Sequence, residues 1–395
     1  MTQPENHRKG LNRRTLLKGA GIAAVLVVAA GAWRSADQGV FSTGEGVAYE
    51  PWENWRGDEL QGAEALIPAA ILASNAHNMQ PWTFRVEESR IDLHVDLTRN
   101  NGVADPLRRE QIMSLGCALE HLVLAAGAHG NAQSLTLRPD GSDPTHVARL
   151  DLSVGEQRPS ELYDAIPLRH TNRYAFDTTR PLPSDTLDGL AGLIDAADVK
   201  VFWFSSPEQR SRIGDLTIAA TEAFIADEAQ SRHSNACYRH DWDEIQRERD
   251  GITLDAAGVS NLIRAAGKVL PETTREQNDE TWLTATRDKQ VPTADAFGII
   301  AVCDARNDGK RVEAGRLWQR MHLSATVQGL AMQPLNQINE RADREAEQNA
   351  APDFGDALQE LLGDAASQGL FTFRIGYPTQ TATASPRRSV ADVMA

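Results

Sequence analysis

Cysteine is scarce in this chain, three residues in 395. An odd number, at Cys117, Cys237 and Cys303, cannot form a disulfide framework. Cys117 and Cys303 stand in apolar surroundings and are expected as core thiols. Positive charge is the second shortage: 40 Lys and Arg face 55 Asp and Glu, a formal net charge of −15. A nucleic-acid surface needs a basic stripe to displace counterions, so no nucleic-acid partner is expected. The same imbalance gives little attraction to anionic lipid. The apolar run 19–32 is about 14 residues long, short of the roughly 20 that cross a bilayer comfortably. His233, Cys237, His240 and Asp241 have a loosely zinc-like spacing, but no second Cys/His pair stands at a matching distance, and no metal is expected.

With 41% apolar residues the chain can bury a large core, and its length suits two domain-equivalents. Its first residues break the acidic trend. Arg8 and Lys9, then Arg13-Arg14-Thr15-Leu16-Leu17-Lys18, precede the apolar run, which ends in Ala30-Gly31-Ala32. This is a charged n-region, a short h-region and a small-residue cleavage site. It resembles a twin-arginine export signal. That resemblance implies the twin-arginine machinery as a partner and a periplasmic location, with the signal either removed or kept as an anchor. Residues 1–45 are set aside as signal and linker.

The run Ser74-Asn75-Ala76-His77-Asn78-Met79-Gln80-Pro81-Trp82 connects an apolar helical pattern to a strand. Side-chain amides carry both a donor and an acceptor, so Asn78 and Gln80 can read the edge of a flat heterocycle. The same residues also suit a polar turn, with Asn as turn former and Trp82 as a core anchor.

Beyond it, alternation predicts strands at 83–87 and 90–97 around a turn at Glu88-Ser89. Ile112, Leu115, Leu119, Leu122, Val123 and Ala126 predict a helix over 108–129, ended by Gly130. Strands follow near 134–138 and 146–152. The second half restates this unit: Gly315 and Gly329 are spaced like Gly116 and Gly130, an apolar strand at 298–304 precedes the helix, and another lies at 370–377. The stretch 273–295 reads as a long loop or lid of marginal helical content, and 339–366 as a surface helix interrupted at Pro352. The fold class expected is α+β, divided into a first half over 46–165 and a second over 166–395.

Arg169-x-Thr171-x-Arg173 puts two cations and a hydroxyl on one side of an extended segment, the donor set a phosphate monoester needs. Ser385-Pro386-Arg387-Arg388-Ser389 supplies further cations. Either element also suits a solvated basic turn or tail. Together, Asn78-x-Gln80-Pro81-Trp82, the Arg169 element and the basic tail resemble the FMN-dependent nitroreductase superfamily, in its Acg-type branch. The likeness runs from Ala48-Tyr49-Glu50-Pro51-Trp52 to Arg388. It implies FMN as cofactor, its phosphate on Arg169, Thr171, Arg173, Arg387 and Arg388. It also implies that Pro334, Leu335 and Asn336 run past the ring near N5, where backbone N–H groups polarise it. Ordinary members are two-chain dimers, so the resemblance implies two fused half-repeats forming a pseudo-dimer within a monomer. The amide loop lies in one half and the arginine elements in the other, which fits a single composite site.

Two functions of different class follow from the resemblance. One is an oxidoreductase passing electrons from a reduced donor, NAD(P)H among the candidates, to a flat acceptor such as a nitroaromatic or quinone. There the flavin does the redox chemistry and no residue is expected as catalytic acid or base. The other is a protein that stores or sequesters FMN without turnover. A scaffold that has lost its flavin is a third reading.

Overall fold

The computed structural model describes residues 33–183, 185–194, 196 and 198–395. The twin-arginine stretch and Ala30-Gly31-Ala32 therefore lie outside the described residues. The alternation after Trp82 folds into a hairpin of β1 (Trp82–Glu87) and β2 (Arg90–Val95), paired antiparallel around Glu88-Ser89. The helix α1 (Arg109–Ala128) follows. Its exposed backbone donors are met by Asp105, whose carboxylate accepts from the N–H groups of Glu110 at 3.2 Å and Gln111 at 2.9 Å. Gly130 closes it at a φ of +76°, a conformation that glycine adopts without strain. By length and composition α1 could cross a membrane, but 89% of its most apolar window is buried inside this protein. Strands β3 (Asn131–Leu137) and β4 (His146–Val154) complete an antiparallel sheet of order β1-β2-β4-β3.

The second sheet is built from β5 (Val199–Phe204), β6 (Ala296–Val302), β7 (Ala331–Pro334) and β8 (Gln368–Gly376), in the order β5-β6-β8-β7 and again antiparallel throughout. Between β5 and β6 lie α2 (Pro207–Ala226), α3 (Asn261–Val269) and α4 (Arg275–Ala285). Between β6 and β7 runs α5 (Asp308–Val327), and between β7 and β8 lie α6 (Gln337–Gln348) and α7 (Asp353–Leu362). Both sheets thus repeat one path: strand, strand, 20-residue helix, strand, strand. The helices α1 and α5 pack against each other with Gly116 facing Gly315.

Strand β6 shows why the second sheet needs cover on both faces, since all seven of its residues are buried. Ala296, Ile300 and Val302 point into the main core shared with α1 and α5. Phe297, Ile299 and Ala301 point into a second core against Leu335, Ile338, Leu358 and Leu362.

The structure corrects three expectations. The stretch 273–295 is not a loop: Thr274 and Gln277 form a reciprocal capping box that starts α4, which continues into a π-helical turn over Thr286–Gln290. The segment 339–366 breaks at Pro352 into α6 and α7 as expected, but its start is not surface, because Ile338, Asn339 and Glu340 are buried. Cys117 is buried, whereas Cys303 is exposed, standing just past the last ladder pair of β6 at Val302.

Candidate functional site

The polar run after Ser74 takes an unusual backbone path. His77, Asn78 and Gln80 all have left-handed φ, at 48°, 58° and 52°. A non-glycine residue there is strained unless its surroundings fix it. The amides supply that fixing: Asn75 Oδ1 accepts from the Gln80 N–H at 2.8 Å, and Gln80 Nε2 donates to the Arg249 carbonyl at 2.8 Å. Gln80 Oε1 in turn accepts from the Arg388 N–H at 2.8 Å. Gln80 is fully buried, and neither it nor Arg388 lines either of the two cavities described below. These two residues tie the loop to the C-terminal tail.

Asn78 also turns toward the tail. Its Nδ2 donates to the Pro386 carbonyl at 2.9 Å, and its Oδ1 accepts from Arg387 Nη1. Arg387 donates as well to the carbonyls of Pro386 at 3.0 Å and Ala73 at 3.4 Å, over the ring of Trp52. Arg169 donates to the Leu72 carbonyl at 2.9 Å and Arg173 to the Ala256 carbonyl at 3.0 Å. The neighbouring carbonyls of Leu72 and Ala73 thus hold Arg169 and Arg387, from two distant segments, while Arg173 is held separately at Ala256.

Arg169, Thr171, Arg173, Asn78 and Arg387 all line one small cavity with Ser74, His77, Thr253 and Ser385. None of the three arginines is ion-paired among the described residues. The acidic groups acting on them are the Cys117 thiol and the phenols of Tyr238 and Tyr49, neutral at ordinary pH. Burial therefore pulls Arg169 down to about 10, and Arg173 and Arg387 below the usual arginine range. His77 and His170 are pulled to about 4 and about 3, first by burial and then by these cations. The Ser74 hydroxyl, His77 Nδ1, and the Nε atoms of Arg169 and Arg387 are buried without a hydrogen-bond partner. Unpaired buried cations and idle donors cost free energy unless something negative completes them. The chemistry of this donor set fits a phosphate monoester.

Through Ser74, Asn75, His77, Thr171 and Arg173 the small cavity continues into a larger one of about 820 Å³. Pro334, Leu335 and Asn336 line it, as do Met113, Trp318 and Phe371. The Leu335 N–H is already committed to the Thr372 carbonyl at 2.8 Å, and Asn336 Oδ1 accepts from the Thr372 N–H at 2.9 Å. The far wall comes from α3, α4 and the π-helical turn, through Ile263, Gly267, Trp282 and Lys289. Sequence reasoning missed His77, His170, Thr253 and the carboxyls Glu110 and Glu340, which also line these cavities. His77 and His170 stood inside motifs already singled out; Thr253, Glu110 and Glu340 had no local signal, because only the tertiary fold brings them in.

No family model matches the chain. Over 120 residues, 30% of its length, it is 32% identical to Rv3131 of Mycobacterium tuberculosis H37Rv. Over 116 residues, 29% of its length, it is 30% identical to Acg of the same strain. Both relatives are named for an inferred NAD(P)H nitroreductase activity. Each match spans 35% of the relative's own length. Among solved structures, the FMN-dependent nitroreductase NfnB of Mycobacterium smegmatis, in complex with NADPH, is 16% identical, covering 59% of this chain and 96% of that one at a TM-score of 0.36. An FMN-bound nitroreductase of Desulfitobacterium hafniense is 16% identical over 60% and 97% of the two chains, at 0.34. Likeness that loose establishes neither fold nor function. The sequence matches make this chain a distant relative of nitroreductase-superfamily proteins.

Proposed function

We propose that this chain is an FMN-binding, nitroreductase-like oxidoreductase that passes electrons from a reduced donor, NAD(P)H among the candidates, to a flat acceptor such as a nitroaromatic or a quinone. One observation carries the reading: two buried arginines, Arg169 and Arg387, and the half-buried Arg173, none with a counter-ion among the described residues, converge beside an idle hydroxyl on the narrow end of a large and largely apolar cavity. Arg169, Arg173 and Arg387 would hold the phosphate, with Thr171, Ser74 and Ser385 as hydroxyl partners. Asn78 positions Arg387. Trp318, Met113 and Phe371 give the wide end the apolar walls that a planar ring needs. FMN, when bound, supplies the two-electron chemistry; the protein binds it, orients it and excludes water.

The equal strand orders of the two sheets support the further reading that residues 46–165 and 166–395 are fused half-repeats forming a pseudo-dimer with one composite site. Arg13-Arg14 supports export to the periplasm through the twin-arginine route.

The cover of α3 and α4 over the cavity favours a second reading, storage of FMN without turnover. Mixing the purified yellow chain with NADH or NADPH separates the two. Bleaching of the flavin band supports the oxidoreductase. A band unmoved by either nucleotide, with FMN demonstrably bound, leaves storage standing.

A further inference from the structure

The helix α3 is amphipathic with its faces inverted. Ser260 caps it, its hydroxyl accepting from the Ile263 N–H at 3.4 Å. On a 3.6-residue period Leu262, Ile263, Ala266, Gly267 and Leu270 share one stripe, while Arg264 and Lys268 fall on another. A surface helix ordinarily turns its cations to water. Here Lys268 is buried, donating to Asp255 Oδ2 at 2.9 Å and to the Gly39 carbonyl at 3.0 Å. Arg264 Nε lies 3.7 Å from the same buried carboxylate. These contacts fix the rotation of the helix. The apolar stripe is left in solvent, with Leu262 80%, Ile263 58% and Leu270 60% exposed.

Exposed large hydrophobic residues concentrate at this place. There are ten among the described residues, and five of them belong to α3, to Leu270 at its end and to the segment bonded to it. Trp33 and Phe41 are the two on that segment. It is tied to α3 at two points, Arg34 Nε donating to the Val269 carbonyl at 2.6 Å and the Gly39 carbonyl accepting from Lys268. Apolar residues gathered in this way mark a surface that meets something apolar.

Two observations say what covers it. The apolar run 19–32 joins the described chain at Trp33, one residue before the arginine bonded to α3. A Trp and then an Arg at the end of an apolar run suit the headgroup level of a bilayer. Ile263, Gly267 and Leu270 also line the larger cavity, so the exposed stripe is the rim of that cavity. A protein segment seated on the stripe would close the rim, whereas a bilayer would leave it open to apolar solutes.

We propose that α3 and the segment 33–41 dock on a lipid bilayer, and that the cavity takes its flat ligand from the membrane as a lipid-soluble quinone. The proposal rests on reading the cavity as the acceptor pocket. A net charge of −15 gives no attraction to anionic lipid, so apolar contact drives the docking and zwitterionic lipid suffices.

The test uses the full chain and phosphatidylcholine vesicles. A nitrobenzoxadiazole label is placed on Leu262→Cys in a Cys303→Ser background, because Cys117 and Cys237 are buried. An interfacial helix sinks its apolar face about 5–10 Å, so doxyl-labelled lipid should quench the label by about half. The same label on Val154→Cys, in the exposed end of β4, should keep its emission. Delivery is read at Trp282, which lines the cavity, its share of the emission being what Trp282→Phe removes. Vesicles carrying ubiquinone should quench that share in the natural chain. A Leu262 label that stays in water overturns the proposal, whether or not 19–32 attaches the chain to the vesicles. Equal quenching at Leu262 and Val154 overturns it as well. A Leu262 label already shielded without vesicles gives the face to 19–32, or to a second copy where the shielding grows with protein concentration, and either result overturns the docking. A quenched Leu262 label with Trp282 untouched by ubiquinone overturns the delivery. The flavin band separates this proposal from the reading it rests on. A yellow protein whose Leu262 label stays in water sinks the docking alone, whereas a colourless protein with a quenched label sinks the FMN assignment alone.

Discussion

Gly116 and Gly315 face each other where the two 20-residue helices cross. A Cβ built on Gly116 would stand 2.2 Å from the Val312 carbonyl oxygen and 3.0 Å from the Gly315 Cα. One built on Gly315 would stand 2.0 Å from the Met113 carbonyl oxygen. The clashing atoms are backbone, so neither helix can yield without shifting as a whole. Glycine is needed here for close approach, since both residues are helical. Reciprocal contact of this kind is what a two-fold relation between the two sheet-and-helix units would produce.

Gly116→Ala and Gly315→Ala should each destabilise the protein by about 1–3 kcal/mol, the usual cost of overpacking a core. Because they press on one crossing, their effects should not add. Urea unfolding of both single variants and the double variant measures this. Losses within about 0.5 kcal/mol would show that the crossing has slack.

Replacing Arg169 and Arg173 together by Ala should weaken FMN by about two decades or more, since each charge-assisted contact is worth roughly 1.5–3 kcal/mol. Riboflavin, which lacks the phosphate, should be almost unaffected. Titration of both flavins against the variant checks the assignment, and equal weakening would move these arginines away from the phosphate.

For Asn78→Ala the structure changes the expectation. An amide on the ring edge would weaken both flavins alike. Here the amide grips Arg387 and the Pro386 carbonyl, so its loss should weaken FMN more than riboflavin. The ratio of the two affinities is the readout.

Acid should loosen the fold. His121 and His322 are buried, and burial pulls His121 to about 3 and His322 well below the usual value. A histidine whose folded pKa is depressed contributes stability that is complete above about pH 6.5 and is lost as pH falls below it. Each contributes a slope of about 1.4 kcal/mol per pH unit within that window. His77 and His170 act in the same direction. Glu110, Glu340, Asp105 and Asp295 oppose them, because a carboxyl raised by burial favours the fold at low pH and that contribution is lost as pH rises through the folded value. His94 and His129 are pulled down too, so six histidines outnumber the four raised carboxyls and give a net fall. The urea midpoint should be lower at about pH 5 than at about pH 7, and an equal or higher midpoint would contradict the balance.

Much of the scaffold was legible in the sequence because it rests on local periodicity. The hairpin after Trp82, the helix ended by Gly130 and the break at Pro352 lie close to where their patterns put them. Thr274 and Gln277 were also legible as a capping box, yet the polar composition of 273–295 concealed the helix they start. Arg169, Thr171 and Arg173 could be singled out because alternate residues of an extended segment share a face, and one cavity wall does collect all three. Gln80 and Arg388 illustrate the limit. Their hydrogen bonds join the left-handed loop at 77–80 to the tail, and neither φ nor that pairing can be read from composition. Glu110 and Glu340 are 230 positions apart (340 − 110), and no spacing rule joins them.

The central claim is that one composite site in each chain takes one FMN by its phosphate. Its most direct test is equilibrium titration of the purified full chain with FMN, followed by the quenching of flavin fluorescence, with riboflavin as the control. The account predicts saturation near one FMN per 395-residue chain in a monomer, and far weaker riboflavin binding. No binding, two flavins per chain, or equal affinity for FMN and riboflavin would contradict it.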